Sequence, residues 1–289
     1  MRKRVFTPAC GVAAALLAAG PAAHSATIVD TNFDTEAVGT YGGQMTDQAA
    51  TVGGFNVVSD TAGGQIVQVT PGTDRALQLI DNSTVTNTGP VISAPIAVTD
   101  VSTGATGNNL VNISFDYTYL GAAAGNPQTL VLLNQGTQTS PGAAVRAVQL
   151  RIDGDDGEVR YWVGSAPADG TNAQTVVLLG STLVQDTEYT FDIAVDLSST
   201  TQDTFALSIV ETASPSSVFF SQSGLLTTVD DVLPGVFAFN GGLNGTAVNA
   251  APFAEIDNVL LTTAPIPEPS SLLLAGAGLA LMVKRRRVA

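Results

Sequence analysis

The feature that most constrains the fold of this sequence is an alternation of apolar and polar residues along its central part. It is clearest over 111–119, 189–197 and 205–209, where Val, Ile, Phe, Tyr and Leu occupy every second position. A period of two places successive side chains on opposite faces of a strand, so each segment presents one face to a core and the other to water. No long stretch between residues 27 and 263 shows helical spacing. The sequence therefore predicts an all-β protein.

Further strands are predicted where Thr, Val and aromatic residues cluster between Gly, Asn, Asp and Pro residues. These segments are 28–34, 54–58, 66–70, 76–80, 91–98, 129–133, 144–152, 158–163, 175–179, 218–220, 235–240 and 253–262. Loops are predicted at 104–109, 121–127, 135–142, 166–172 and 241–251. About 12 to 15 short strands predict two packed antiparallel sheets, a β-sandwich of the jelly-roll kind. We expect one such domain over residues 27–263.

The composition of this body excludes several kinds of chemistry. It has no lysine, and its only cations are Arg75, Arg146, Arg151 and Arg160, whereas 24 of the 25 acidic residues lie in it. The only cysteine, Cys10, and the only histidine, His24, precede it. Thiolate nucleophiles, Ser-His-Asp triads, Schiff-base lysines and His or Cys zinc sites are therefore excluded from the body. Nucleic acid is not an expected partner, because a formal charge of −20 repels phosphate.

The amino end has the pattern of a secretory signal peptide. Arg2-Lys3-Arg4 is a basic segment, Val5 to Gly20 is almost wholly apolar, and small residues follow up to Ala26. We expect a signal helix over residues 1–26 that signal peptidase removes after Ser25 or Ala26. An uncleaved anchor is the alternative.

The carboxyl end combines three features within residues 264–289. Pro267-Glu268-Pro269 precedes an unbroken apolar run from Leu272 to Val283, and Lys284-Arg285-Arg286-Arg287 follows directly. Twelve residues form about 18 Å of helix, which is short for a hydrocarbon core of about 30 Å, although flanking arginines extend it by snorkelling. We expect a transmembrane helix whose four cations stay in the cytoplasm and act as a membrane stop.

This order of motif, apolar helix and basic end resembles the PEP-CTERM sorting domain. The resemblance implies processing near Pro267, Glu268 and Pro269 by an exosortase, a membrane-embedded enzyme similar to cysteine transpeptidases. It also implies an exported protein of a Gram-negative bacterium, usually associated with exopolysaccharide. A plain single-helix anchor that is never cut is the alternative.

The body more loosely resembles concanavalin-like and carbohydrate-binding-module jelly rolls. The resemblance rests on an opening strand near 28–34 and a closing strand near 254–260, and it implies that these two strands are neighbours. Such modules commonly hold a structural Ca²⁺ there, so Asp30, Asn32, Asp34 and Asp257 are candidate calcium ligands.

Three further groups of residues have features of functional sites. Asp153 to Glu158 contains four acids, but its flanking strands and Asp-Gly pairs favour a hairpin turn over a calcium loop. Glu255 and Asp257 resemble the Glu-x-Asp-x-x-Glu strand of laminarinase-like glycosidases, except that Leu260 replaces the third acid. The hairpin is predicted to present a glycan-binding face formed by Gln149, Arg151, Arg160 and Trp162. The alternative is that Trp162 is half-buried and the arginines pair with neighbouring acids.

Together these patterns favour a non-enzymatic exported protein of the cell envelope or extracellular matrix. A carbohydrate-binding module is the first alternative, and a glycosidase or lyase that uses only carboxylates is the second. No catalytic residue and no certain cofactor is predicted.

Overall fold

The computed structural model describes residues 25–41, 51–58, 65–82, 89–103, 107–121, 126–135, 146–164, 174–199, 202–228, 233–243 and 249–265. The predicted signal helix, the sorting motif, the apolar helix and the basic end lie outside these residues, apart from positions 25, 26, 264 and 265.

All the regular structure of the described residues is β-strand, in two antiparallel sheets. The strands in chain order are β1 Ala26–Thr31, β2 Gly39–Tyr41, β3 Thr51–Val52, β4 Phe55–Val58, β5 Gln65–Val69, β6 Leu77–Asp81, β7 Val91–Pro95, β8 Leu110–Tyr119, β9 Pro127–Gln135, β10 Arg146–Asp153, β11 Glu158–Gly164, β12 Gln174–Thr182, β13 Glu188–Asp196, β14 Thr204–Glu211, β15 Ser214–Leu226, β16 Pro234–Leu243 and β17 Asn249–Ala264. The predicted all-β sandwich is confirmed.

The first sheet, sheet A, has nine strands in the order β15-β14-β13-β8-β17-β6-β5-β2, with β1 also paired to β17. The second, sheet B, has eight in the order β12-β11-β10-β9-β16-β7-β4-β3. The inner faces meet in one core, where the rings of Phe115 on sheet A and Phe239 on sheet B form a T-shaped pair with 5.0 Å between their centroids. The buried hydroxyls of Tyr117 and Thr129 form a hydrogen bond of 3.1 Å with each other between the sheets.

The first and last strands are neighbours, as the resemblance implied. Ala26 lies opposite Thr263, and Thr31 lies opposite Val259. The long strand β17 uses its first half to pair with β6 and its second half to pair with β1, while β8 runs along its other side. Both ends of the sandwich therefore emerge at the same place on sheet A.

Some strand boundaries differ from the prediction. β2 and β3 have only three and two residues, too few to show an alternation. β15 is longer than the predicted 218–220. The sequence does not predict its full length, because this exposed, serine-rich edge strand has few buried positions and so shows little alternation. The predicted loop at 241–251 is wrong at both ends, since β16 continues to Leu243 and β17 begins at Asn249.

Candidate functional site

A groove of about 560 Å³ crosses the outer face of sheet A. Its central row runs across five neighbouring strands, because the register places Leu260 beside Ser114, Ser114 beside Asp192, Asp192 beside Ser208 and Ser208 beside Ser221. We call this set the serine row. The next row contains Asn112, Ala194 and Ala206. Because the side chains at these adjacent outward positions are small, the outer face of the sheet has a depression there, and this depression is the groove.

The chemistry of the groove is that of hydroxyl, amide and carboxylate groups. The Ser114 hydroxyl donates a hydrogen bond of 2.7 Å to Asp192 Oδ1. Leu260 is 39% exposed and adds an apolar contact at one end. Among the lining residues that the structure describes there is no aromatic and no cationic side chain. The groove is therefore suited to hydrogen bonding with an uncharged polar ligand.

A group of carboxylates lies on the same face beside the groove. Asp257 faces Asp116 across the β17–β8 pair, while Glu255 and Glu188 both lie opposite Thr118. Asp116 is almost fully buried, and its two oxygens accept hydrogen bonds from Thr190 at 2.6 Å and from the Asn258 amide at 2.8 Å. These bonds hold the Asp116 side chain in place at the edge of the groove.

Burial and charge repulsion make two of these carboxyl groups weaker acids. Burial raises the pKa of Asp257 to about 7; the hydrogen bond from the Asn258 backbone nitrogen acts in the opposite direction, and repulsion from Asp74, Asp34 and Asp116 adds to the increase. Burial also raises the pKa of Glu188, and Asp116 contributes to that shift. Near neutral pH the Asp257 carboxyl is therefore only partly ionised.

The Glu255–Asp257 pattern gains a structural context from a bulge. The β17–β8 register shifts between Asp257 and Leu260, and Asn258 has a φ of 48°. The extra residue keeps Ile256 and Val259 buried and turns Asp257 and Leu260 to the outer face. Leu260 thus occupies the outward position that an acid holds in the glycosidase pattern.

The structure brings together only part of the predicted calcium set. Asp34 and Asp257 are close enough to interact electrostatically, whereas Asp30 is exposed and lies opposite Leu260. Asp34 accepts bonds from the Asn32 amide at 2.8 Å and from the Arg75 backbone nitrogen at 3.0 Å. Within the described part of the chain, no group of three or more His, Cys, Asp or Glu residues is arranged to hold a metal ion. The calcium site stays a prediction that melting curves with Ca²⁺ and with EDTA would test.

The residues of the predicted glycan face share the outer face of sheet B. Arg151 lies opposite Arg160 on the hairpin, with Gln149 and Trp162 two residues away on the respective strands. Arg151 and Arg160 contact Asp153 at 2.6 and 3.2 Å, and Arg160 also pairs with Glu158. Gln149 is buried and accepts a hydrogen bond from Arg146, and Trp162 is half-buried. The arginines are thus engaged by neighbouring acids.

The segment from Asp153 to Glu158 is a hairpin turn between β10 and β11, as predicted. The Gly157 nitrogen donates a bond of 3.0 Å to the Asp153 carbonyl, and Gly157 has a φ of 70°. The Asp156 side chain accepts a bond of 2.9 Å from the Glu158 nitrogen. The acids therefore shape the turn and pair with the arginines beside it.

The groove is not evident from the sequence. The alternation marks Asn112, Ser114 and Asp192 as water-facing residues, but it does not specify the register between strands. The available signal was the run of small residues at outward positions, such as Ala194, Ala206 and Ser208.

Comparison with solved structures finds several β-rich proteins of low sequence identity. The CBM2 module of the evolved Dit protein of Lactobacillus casei BL23 phage J-1 is 11% identical, with a TM-score of 0.48 over 84% of this chain and 98% of that one. The PL-14 alginate lyase of Aplysia kurodai is 12% identical, with a TM-score of 0.44 over 68% and 87%. The endo-β-1,4-glucuronan lyase of Trichoderma reesei is 12% identical, with a TM-score of 0.42 over 68% and 87%. Comparison with curated proteins finds no match.

The end of the sandwich adjoins a recognised signal. In the part of the chain that the structure describes, no helix is long and apolar enough to cross a membrane. Strand β17 ends at Ala264, and the next residues, 265–287, match the family model of the PEP-CTERM protein-sorting motif. This match confirms the resemblance noted in the sequence. The chain is an exported protein that carries a PEP-CTERM sorting motif, which is processed by an exosortase-like membrane enzyme.

Proposed function

We propose that this chain is a non-enzymatic component of the cell envelope or extracellular matrix of a Gram-negative bacterium, associated with its exopolysaccharide. The observation that carries the proposal is the sorting motif at residues 265–287. Its position supports the proposal, because the motif begins directly after the last residue of β17. Processing near Pro267 leaves every strand of the sandwich in place. The released product is then the whole β-sandwich, delivered outside the inner membrane.

Processing is tested by changing the motif itself in cells that make the exosortase. We expect Glu268→Ala and Pro267→Ala to accumulate as a membrane-bound form that retains its tail, detected by its higher intact mass. Val283→Leu preserves the apolar run and serves as the matched control. Normal processing of both motif variants would contradict the proposal.

Glycan binding is the second candidate function, and the groove on sheet A favours it. Its volume of about 560 Å³ and its hydroxyl, amide and carboxylate lining support recognition of a polyhydroxylated ligand. The sheet B face with Arg160 and Trp162 is less favourable, since its arginines already pair with Asp153 and Glu158.

The structure also supports a role without catalysis. Retaining and inverting glycosidases use two carboxyl groups placed on either side of the scissile bond. Asp257 and Glu255 share the face beside the groove, but Leu260 stands in the third position of the glycosidase pattern, so the acid/base partner that retaining hydrolysis needs is missing from the pattern. When the chain is incubated with polysaccharides, we therefore expect no release of reducing ends by hydrolysis. We also expect no unsaturated lyase product that absorbs ultraviolet light. Steady product formation that Asp257→Asn abolishes would establish an enzyme instead.

A further inference from the structure

We propose that the serine row is a binding site for a neutral polysaccharide chain that lies across the strands of sheet A. This inference rests on the proposed association with exopolysaccharide and specifies the chemical class of the ligand and the residues that contact it.

The geometry of the row suits an extended polymer. It includes one residue from each of β17, β8, β13, β14 and β15, from Leu260 to Ser221. Neighbouring strands are about 4.8 Å apart, so the row is about 19 Å long. A chain of several sugar units, and not a single small molecule, fills a groove of this length. Asp192 and Ser221 are both exposed, so the row is accessible from solvent.

The hydrogen-bonding groups match sugar hydroxyls. Each serine hydroxyl donates one bond and accepts others, and the Asn112 amide also does both. The Asp192 carboxylate has about four acceptor positions, of which the Ser114 hydroxyl occupies one. Sugar hydroxyls, which donate and accept, complement such a set. Leu260 offers an apolar surface to the CH face of a ring.

The charge of the site selects against acidic polymers. Asp192 lies in the groove and Asp116 and Asp257 lie beside it, within a body whose formal charge is −20. No described lining residue is cationic. A uronate, sulfate or phosphate group placed there would meet repulsion with no compensating ion pair. Neutral sugars avoid this repulsion, and their hydroxyls are attracted by the carboxylates.

Binding to named polymers tests the proposal. The full chain in detergent is assayed by affinity electrophoresis and calorimetry against laminarin, dextran and mannan as neutral probes, and against alginate and polygalacturonate as acidic ones. Ser221→Tyr fills the groove, and Ser216→Tyr introduces the same side chain at an exposed position of β15 outside the lining. Asp192→Ala removes the carboxylate, and Asp155→Ala is its control in the exposed hairpin turn.

We expect at least one neutral polymer to bind, and Ser221→Tyr and Asp192→Ala each to weaken its binding about tenfold or more while both controls bind normally. Tighter binding of alginate or polygalacturonate, or no binding of any neutral probe, would overturn the inference. So would binding that Trp162→Ala reduces and Ser221→Tyr leaves intact. Export and tail removal are read separately from the location and mass of the protein, so failure of this site is distinguishable from failure of the proposed function.

Discussion

At the scale of single residues, Asp257 shows how the fold determines the protonation of a side chain on the outer face of sheet A. It lies at the bulge of β17, next to Asn258 in the left-handed region with a φ of 48°. Its neighbours include three other carboxylates, and burial raises its pKa to about 7. The sequence marks Asp257 as a candidate calcium ligand and as part of a glycosidase-like pattern. It does not predict the raised pKa, because the burial of Asp257 and its repulsion by Asp34, Asp74 and Asp116 arise from residues that are distant in sequence.

This pKa predicts a pH dependence of stability. The folded pKa of about 7 is above the reference value of 3.8, so the folded state binds the proton more tightly than the unfolded state between these values. The stabilising effect of protonation is complete below about pH 4 and is lost as the pH rises through 7. Glu188, whose pKa is also raised, acts in the same direction.

We expect Asp257→Asn to raise the melting temperature at pH 8 and to flatten its dependence on pH between 4 and 8. For a domain of this size, each kcal/mol corresponds to roughly 2–4 °C. Thermal melts of the two proteins across this range provide the measurement, with Asp155→Asn in the exposed hairpin turn as control. A variant whose melting temperature follows the same pH curve as the parent would show that Asp257 is not the responsible group.

At the scale of elements, local sequence predicted the strands better than their junctions. Inside–outside alternation is a local property, so Leu110–Tyr119 and Glu188–Asp196 were recognisable from their own residues. The bulge in β17 lies where β8 runs along one side of the strand while β6 gives way to β1 on the other side. Nothing within residues 254–260 specifies those partners, and the groove depends on them.

The β10–β11 hairpin provides a test at this scale. A Cβ on Gly157, whose φ is 70°, would lie 2.7 Å from the Leu183 carbonyl oxygen. Gly180 has a similar φ of 75° with nothing within 4 Å of its Cβ position. Both alanine variants therefore carry the conformational penalty, and only Gly157→Ala adds a clash with backbone.

We expect Gly157→Ala to lower the free energy of unfolding by about 2 kcal/mol more than Gly180→Ala does. Denaturant titrations of the two variants and the parent give the comparison. Equal losses would mean that the turn next to Leu183 shifts freely, which contradicts the packing described here.

At the scale of the whole molecule, the two ends of the sandwich emerge side by side. Ala26 and Thr263 face each other across β1 and β17, so the amino end of the sandwich lies beside the end of the strand that leads into the tail. The sequence alone predicted the two terminal signals, because each is a compact local pattern. It could not predict where a ligand would bind, since the serine row joins residues from five strands.

The central claim is that the motif at residues 265–287 sorts the exported chain and that cleavage within it removes the tail. The most direct measurement is the intact mass and the cell fraction of the native protein. We expect a product in the envelope or medium that lacks the signal peptide and ends near residues 267–269. Recovery of a cytosolic chain of all 289 residues would contradict the account.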